Sequence, residues 1–325
     1  MSRRVTATPG RGSAARRGRG GAARRSESGA ATVLLAPFFL VFAAAMVAPI
    51  GYAVYLSLFT QRLSGLGFGG ARQVFDGLGN YSRALHDPAF RHGFLTIAGY
   101  CVLYVPVMLA LALTLALLLD SALVRARRFF QLALFLPHAV PGLIAALVWT
   151  YLYTPGISPV IRALDSTGVH VDLLSSGTVL PSVVNVAVWE WTGYNVVVSY
   201  AALQAIPREV IEAAVVDGST GLRTARSVKV PMIRPALVLA ALFTVIGALQ
   251  LFTEPMILRG NSAAITSAWT PNMYAYSAAF DQGDYGLAAA ASVLLAVVAA
   301  VLSFAVTRLT AGRPAAGRRR KEAAA

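Results

Sequence analysis

"EVIEAAVVDGSTGLRTARSVKVP", Glu209 to Pro231, stands between two long apolar segments of a chain that is otherwise poor in charge. Pro207, just before it, suits the first turn of a new helix, where its fixed φ and missing N–H do no harm. Glu209 and Glu212 put negative charge near the positive N-terminal end of that helix. Val210, Ala213 and Ala214 share one face at i, i+3, i+4 spacing, and the small alanines let a partner surface come close. Gly218 is the natural stop, because a left-handed cap residue costs glycine nothing. Ser219 or Thr220 can then cap a second short helix, in which Arg223, Arg226 and Lys229 form a basic stripe. Pro231 and Pro235 end that helix and start the next apolar run. The insert is too elaborate for a connector and carries no catalytic group. Spacing alone reads equally well as a solvated hairpin or as a docking foot.

The surroundings decide where such an insert sits. Of 325 residues, 57% are hydrophobic and 13% charged, about half the charged share of an ordinary soluble domain. Uninterrupted apolar runs of bilayer length place the chain in the membrane class. The single Cys101 lies within such a run, so no disulfide framework exists, and the four scattered histidines show no metal-ligand spacing. The net charge of +14 suggests nucleic acid at first sight, but its distribution argues against it. Eight arginines precede Glu27 in a Gly/Ala/Arg-rich stretch without aromatics for base stacking, and six Lys/Arg lie at or after Arg308. Basic tails flanking apolar spans set topology or touch anionic lipid.

Six spans are expected, at Ala30–Phe59, Gly93–Leu119, Gln131–Tyr153, Val179–Leu203, Ala236–Leu258 and Leu287–Thr307. The first is too long for the apolar core of a signal peptide and is read as uncleaved. With this count, one side of the bilayer carries 22 of the 28 Lys/Arg and the other carries 6. The positive-inside tendency then makes both termini, and the Glu209–Pro231 insert, cytoplasmic. The expected organisation is an all-α polytopic membrane protein: a disordered basic tail at 1–28, a six-span domain at 29–309 and a second basic tail at 310–325. Pro106, Pro137, Pro141, Pro181 and Pro255 fall within spans and are expected to kink them, which suits close packing and movement.

At this point the chain resembles a known family. Glu212-Ala213-Ala214, three residues, Gly218, then Val228-Lys229-Val230-Pro231 is similar to the EAA loop of importer-type ABC transporter permeases. Ile206-Pro207 and Arg234-Pro235 fit the same pattern. The resemblance runs over most of Ala30 to Leu309. Gly79-Asn80-Tyr81 with Asp87-Pro88-Ala89-Phe90, "RRFFQLALFLP" from Arg127, "LQLFTEPMIL" from Leu249 and "AFDQGDYGLAAAASVLL" from Ala279 all resemble the carbohydrate group, which includes maltose and glycerol-phosphate permeases. The form is that of the first member of a permease pair. Three features depart from the pattern: Ala225 replaces a bulky aromatic, Glu190 occupies a position often basic or neutral, and "RGNSAAITS" lacks the usual glycine run.

The resemblance implies a bacterial inner-membrane subunit that works with a second permease, two ATP-binding subunits and an extracytoplasmic solute-binding protein. The loop at about 205–235 would dock the ATPase, with Glu212 as polar anchor, Ala213, Ala214 and Gly218 giving close fit, and Asp217 orienting the turn. The chain has no Gly-rich Lys-Ser/Thr phosphate loop, so neither nucleotide nor another cofactor is expected on it, nor catalysis by it. For the solute path, an acidic group at bilayer depth is a candidate by default. Glu190, beside Trp191 and a turn before Tyr194 and Asn195, suits a sugar ring, and Gln250 and Glu254 are the other candidates. Within the spans no Lys or Arg lies between the ends, which favours a neutral solute over glycerol phosphate. An ATPase-independent secondary transporter or a membrane scaffold with a docking loop are the alternatives from other classes.

Overall fold

The computed structural model describes residues 33–63, 71–121 and 124–311, so the expected tail at 1–28 lies outside the described residues, as does the second tail from 312 onward. Among the described residues, 33–55 form one compact unit and those from Leu56 a second. The first holds all but the last two residues of the apolar helix α1 (Val33–Ser57), which contains a π turn at Ala43–Val47.

In the second unit an antiparallel hairpin, β1 (Phe59–Leu63) and β2 (Ala71–Phe75), pairs Phe59 with Phe75 and adds to the all-α expectation. Helix α2 (Gly79–His86) follows, and α3 (Pro88–Asp120) is 33 residues long, about 50 Å at 1.5 Å per residue. Asp87 starts α3 by accepting from the Ala89 N–H at 2.8 Å, with Pro88 in the first turn. Along α3 the buried residues Ile97, Tyr100, Tyr104, Met108, Ala112 and Ala116 recur every three or four positions. This stripe packs on α7 (Val179–Gln204), where Val183, Val186, Ala187 and Val196 are buried, and the pair forms the centre of the core.

The third expected span is broken. Helix α4 (Arg127–Phe135) passes through a 3-10 turn at Leu136–Ala139, and α5 (Gly142–Tyr153) leaves at 90°. The reason is local. Pro137 sits in the 3-10 turn, and Pro141 forces Val140 into an extended conformation (ψ 129°), which no helix passes through. A kink was expected here, and the structure replaces it with a bend that turns the chain. A short capped helix α6 (Pro159–Ser166) leads on towards α7.

The insert also differs from expectation in its second half. Helix α8 (Arg208–Val216) stops as expected at Gly218, whose φ is +78°. However, Gly221 opens α9 (Gly221–Thr224), which runs through a π turn at Ala225–Lys229 directly into α10 (Val230–Leu249). Pro231 and Pro235 do not end a helix: both lie inside one, and the widened turn ahead of Pro231 is where the backbone accommodates its ring. The fifth span breaks instead at Gln250–Phe252, before α11 (Thr253–Leu258). Helices α12 (Pro271–Phe280) and α13 (Tyr285–Ala311) complete the described residues.

The described part of each expected span is mostly helical, with non-helical breaks at 140–141 and 250–252 and with Phe59 in β1, which is consistent with six spans. Four described helices are long and apolar enough to cross a membrane, and five if the bent pair counts as one. Helix α7, with 26 residues, is also long enough, but Asn185, Glu190 and Asn195 dilute its apolar character.

Candidate functional site

Two stretches outside the spans that carry the family resemblance, at Gly79-Asn80-Tyr81 and Asp87-Pro88-Ala89-Phe90, make structural contacts. Asn80, fully buried, donates to the carbonyls of Ser57 (3.0 Å) and Phe59 (2.8 Å), tying α2 to the hairpin. Asp87 receives the Tyr274 hydroxyl at 2.8 Å, and burial, helped by that bond, pushes the Tyr274 phenol up, so it remains a donor. Arg83 reaches Asp284 at 2.7 Å at the start of α13.

The larger feature is a chamber of about 540 Å³ walled by α3, α7, α10 and α11. Its size falls within the range of small-molecule pockets. Trp191, Tyr194, Asn195, Gln250 and Glu254, all chosen from the sequence, line it together. Glu190 does not. It is 6% exposed and faces the bend, where its Oε1 lies 3.4 Å from the position a Cβ on Gly142 would take. Its Oε2 is buried without a hydrogen-bond partner. Helical geometry accounts for the split. Ala187, Trp191, Tyr194, Asn195 and Val198 recur at i, i+4, i+7, i+8 and i+11 on one face, and Glu190 is about 100° away from Trp191.

Sequence reasoning missed Tyr100 and Tyr104 on α3 and Phe243, Thr244 and Phe252 across the chamber. The first two carried a signal, two tyrosines one turn apart in an apolar run. It also missed His138 in the 3-10 turn, whose ring lies 4.6 Å from Trp191 and 5.1 Å from Tyr194 and so buttresses the wall from behind. Gly193 permits this arrangement: a Cβ there would sit 1.8 Å from the Leu134 carbonyl oxygen, so only glycine lets α7 touch α4.

At the other candidate site, none of the residues of α8 is buried. Glu212, Ala213, Asp217 and Gly218 are exposed and Ala214 is half-buried. Val215, Val216 and Leu222 are 59%, 86% and 84% exposed, which leaves the foot greasy on its outside. Behind it, Asp120 at the end of α3 accepts from Lys229 at 2.5 Å and from Gln204 at 2.6 Å. Of the expected basic stripe, Lys229 is thus engaged, while Arg223 and Arg226 face outward.

Fold and chamber together define a polytopic helical membrane protein built around a solute-sized space. The chain belongs to the family described as binding-protein-dependent transport system inner membrane component, whose profile it matches over residues 112–313. It is 30% identical to the sn-glycerol-3-phosphate transport system permease protein UgpA of Escherichia coli, covering 86% of this chain and 94% of that one. It is 29% identical to the lactose transport system permease protein LacF of Rhizobium radiobacter (84% and 91% covered) and to the trehalose transport system permease protein SugA of Mycobacterium tuberculosis (86% and 88%). In fold it is similar to a chain of a bacterial ABC transporter that imports the acidic polysaccharide alginate, with a TM-score of 0.75 at 20% identity, covering 89% of this chain and 97% of that one.

Proposed function

We propose that this chain is one of two membrane-spanning subunits of an ATP-driven importer, forming half of the path for a sugar or sugar derivative. A solute-binding protein delivers the solute from outside, and two separate ATPase subunits dock on the inner face at 205–235. Both termini are cytoplasmic in this reading, consistent with the Lys/Arg bias between the loops. The observation that carries it is α8: a short helix with small residues and uncovered apolar side chains, whose Arg208, Ile211 and Glu212 line one cleft with Asp120, Gln204 and Lys229, the residues that bond the ends of α3, α7 and α10 together.

The mechanism follows from that placement. A partner closing on α8 moves the ends of three helices whose other parts wall the chamber, so its two states are felt at the solute. Glu212 supplies a charge for a basic group of the partner, while Ala213, Ala214 and Gly218 let it approach. In the chamber, the aromatic faces of Trp191 and Tyr194 suit the C–H faces of a sugar ring, and Asn195, Gln250 and Thr244 offer hydrogen bonds to hydroxyls. Glu190, outside the lining, positions the bend rather than the solute.

The test is reconstitution with candidate partners and a measurement of which sugar stimulates ATP hydrolysis. Gly218→Pro should uncouple hydrolysis from uptake while membrane insertion is unchanged, because proline cannot adopt φ +78°. Normal uptake by that variant would remove the docking role.

A further inference from the structure

The chamber's charge is unusual for a family with relatives named for anionic solutes. Its lining contains no Lys, Arg or His, and one carboxylate, Glu254, stands on its wall. No side-chain donor or cation pairs with Glu254 among the described residues. A second carboxylate, Glu190, lies on the neighbouring α7 with an oxygen buried and unpartnered, and α7 and α11 are in contact. Two acids in a poorly solvated space without a balancing cation repel each other, so they share part of a negative charge between them rather than two full ones, and a further anion brought beside them adds to that like charge. An anionic solute entering would lose its hydration and meet like charge, a repulsive element that excludes one ligand class outright. Neutral hydroxyls and ammonium groups are donors, and an unpaired carboxylate accepts from them in strong, charge-assisted bonds.

Resting on the sugar reading above, we infer that Glu254 is a specificity-determining residue that admits neutral and aminated sugars to this chamber and excludes uronates and sugar phosphates. Glu190 adds to the potential from behind the wall and does not touch the solute.

The test bypasses the delivering protein, which has its own selectivity. The complete complex is purified in detergent without it, and binding is read by quenching of tryptophan fluorescence, Trp191 being on the wall. The probes are cellobiose, its glucosamine counterpart chitobiose with free amines, and cellobiouronic acid. The expected order is chitobiose at least as tight as cellobiose, and both at least tenfold tighter than the uronate. Glu254→Gln should cut the discrimination against the uronate to within about threefold, by weakening cellobiose and relieving the repulsion of the uronate together, while Glu254→Asp should keep the discrimination. Uronate binding as tight as cellobiose in the wild-type complex overturns the inference and leaves the sugar reading standing, and this comparison needs no variant. Unchanged discrimination in Glu254→Gln overturns the role of Glu254, with the charge then coming from the second permease. Failure of all three sugars to bind overturns the sugar reading, and this inference with it.

Discussion

Gly193 shows how much a single position decides. The distance of 1.8 Å from its absent Cβ to a backbone oxygen leaves no flexible atom to give way, so Gly193→Ala must push α7 away from α4. We expect a loss of about 1–3 kcal/mol, the usual cost of overpacking. Thermal unfolding of the purified protein would show it as a lowered midpoint, and an unchanged midpoint would mean that the two helices do not meet there. The same clash would displace Trp191 and Tyr194, so solute binding should weaken along with stability. From the sequence alone Gly193 is one of 28 glycines, and nothing local marks it. Gly218 was legible because a helix stop is a local event, whereas the need for Gly193 arises from a carbonyl 59 positions away.

Among the elements, the ends of α3, α7 and α10 are joined by the Asp120 cluster. The Asp120 and Lys229 side chains are 12% and 20% exposed, so solvent screens the pair only in part. Asp120→Asn leaves the Lys229 charge half-buried without its counterion, and Lys229→Met does the reverse. A double-mutant cycle on stability should return a coupling of about 0.5–3 kcal/mol, with the double variant more stable than the sum of the singles predicts. A coupling within error of zero would show that the pair is incidental. If the cluster transmits movement, both single variants should also weaken stimulation of ATP hydrolysis by solute. The sequence carried half of this element's story. The basic stripe Arg223, Arg226, Lys229 was visible at its spacing, but the partner that captures Lys229 lies 109 residues earlier. Pro231 and Pro235 are usual helix breakers, so the sequence predicts a separate helix for the second half of the insert. A π turn ahead of them let the helix continue.

For the whole molecule, the arrangement depends on which loops share a side. Single cysteines placed at Ser219, in the foot, and at Asp281, between α12 and α13, should be labelled from opposite sides of the membrane by an impermeant thiol reagent. Cys101 is replaced first to remove background. Labelling of Ser219Cys from outside intact cells would end the proposed docking. The apolar runs, the stop at Gly218 and the Lys/Arg imbalance are local or additive properties, and the sequence by itself determined them, and with them the membrane class and the family. Two things were decided only by tertiary structure: the face of α7 that looks into the chamber, and the pairing of Asp120 with Lys229. Each depends on which surfaces meet. Glu190 and Trp191 are neighbours in sequence, yet one step of 100° puts one behind the wall and the other on it.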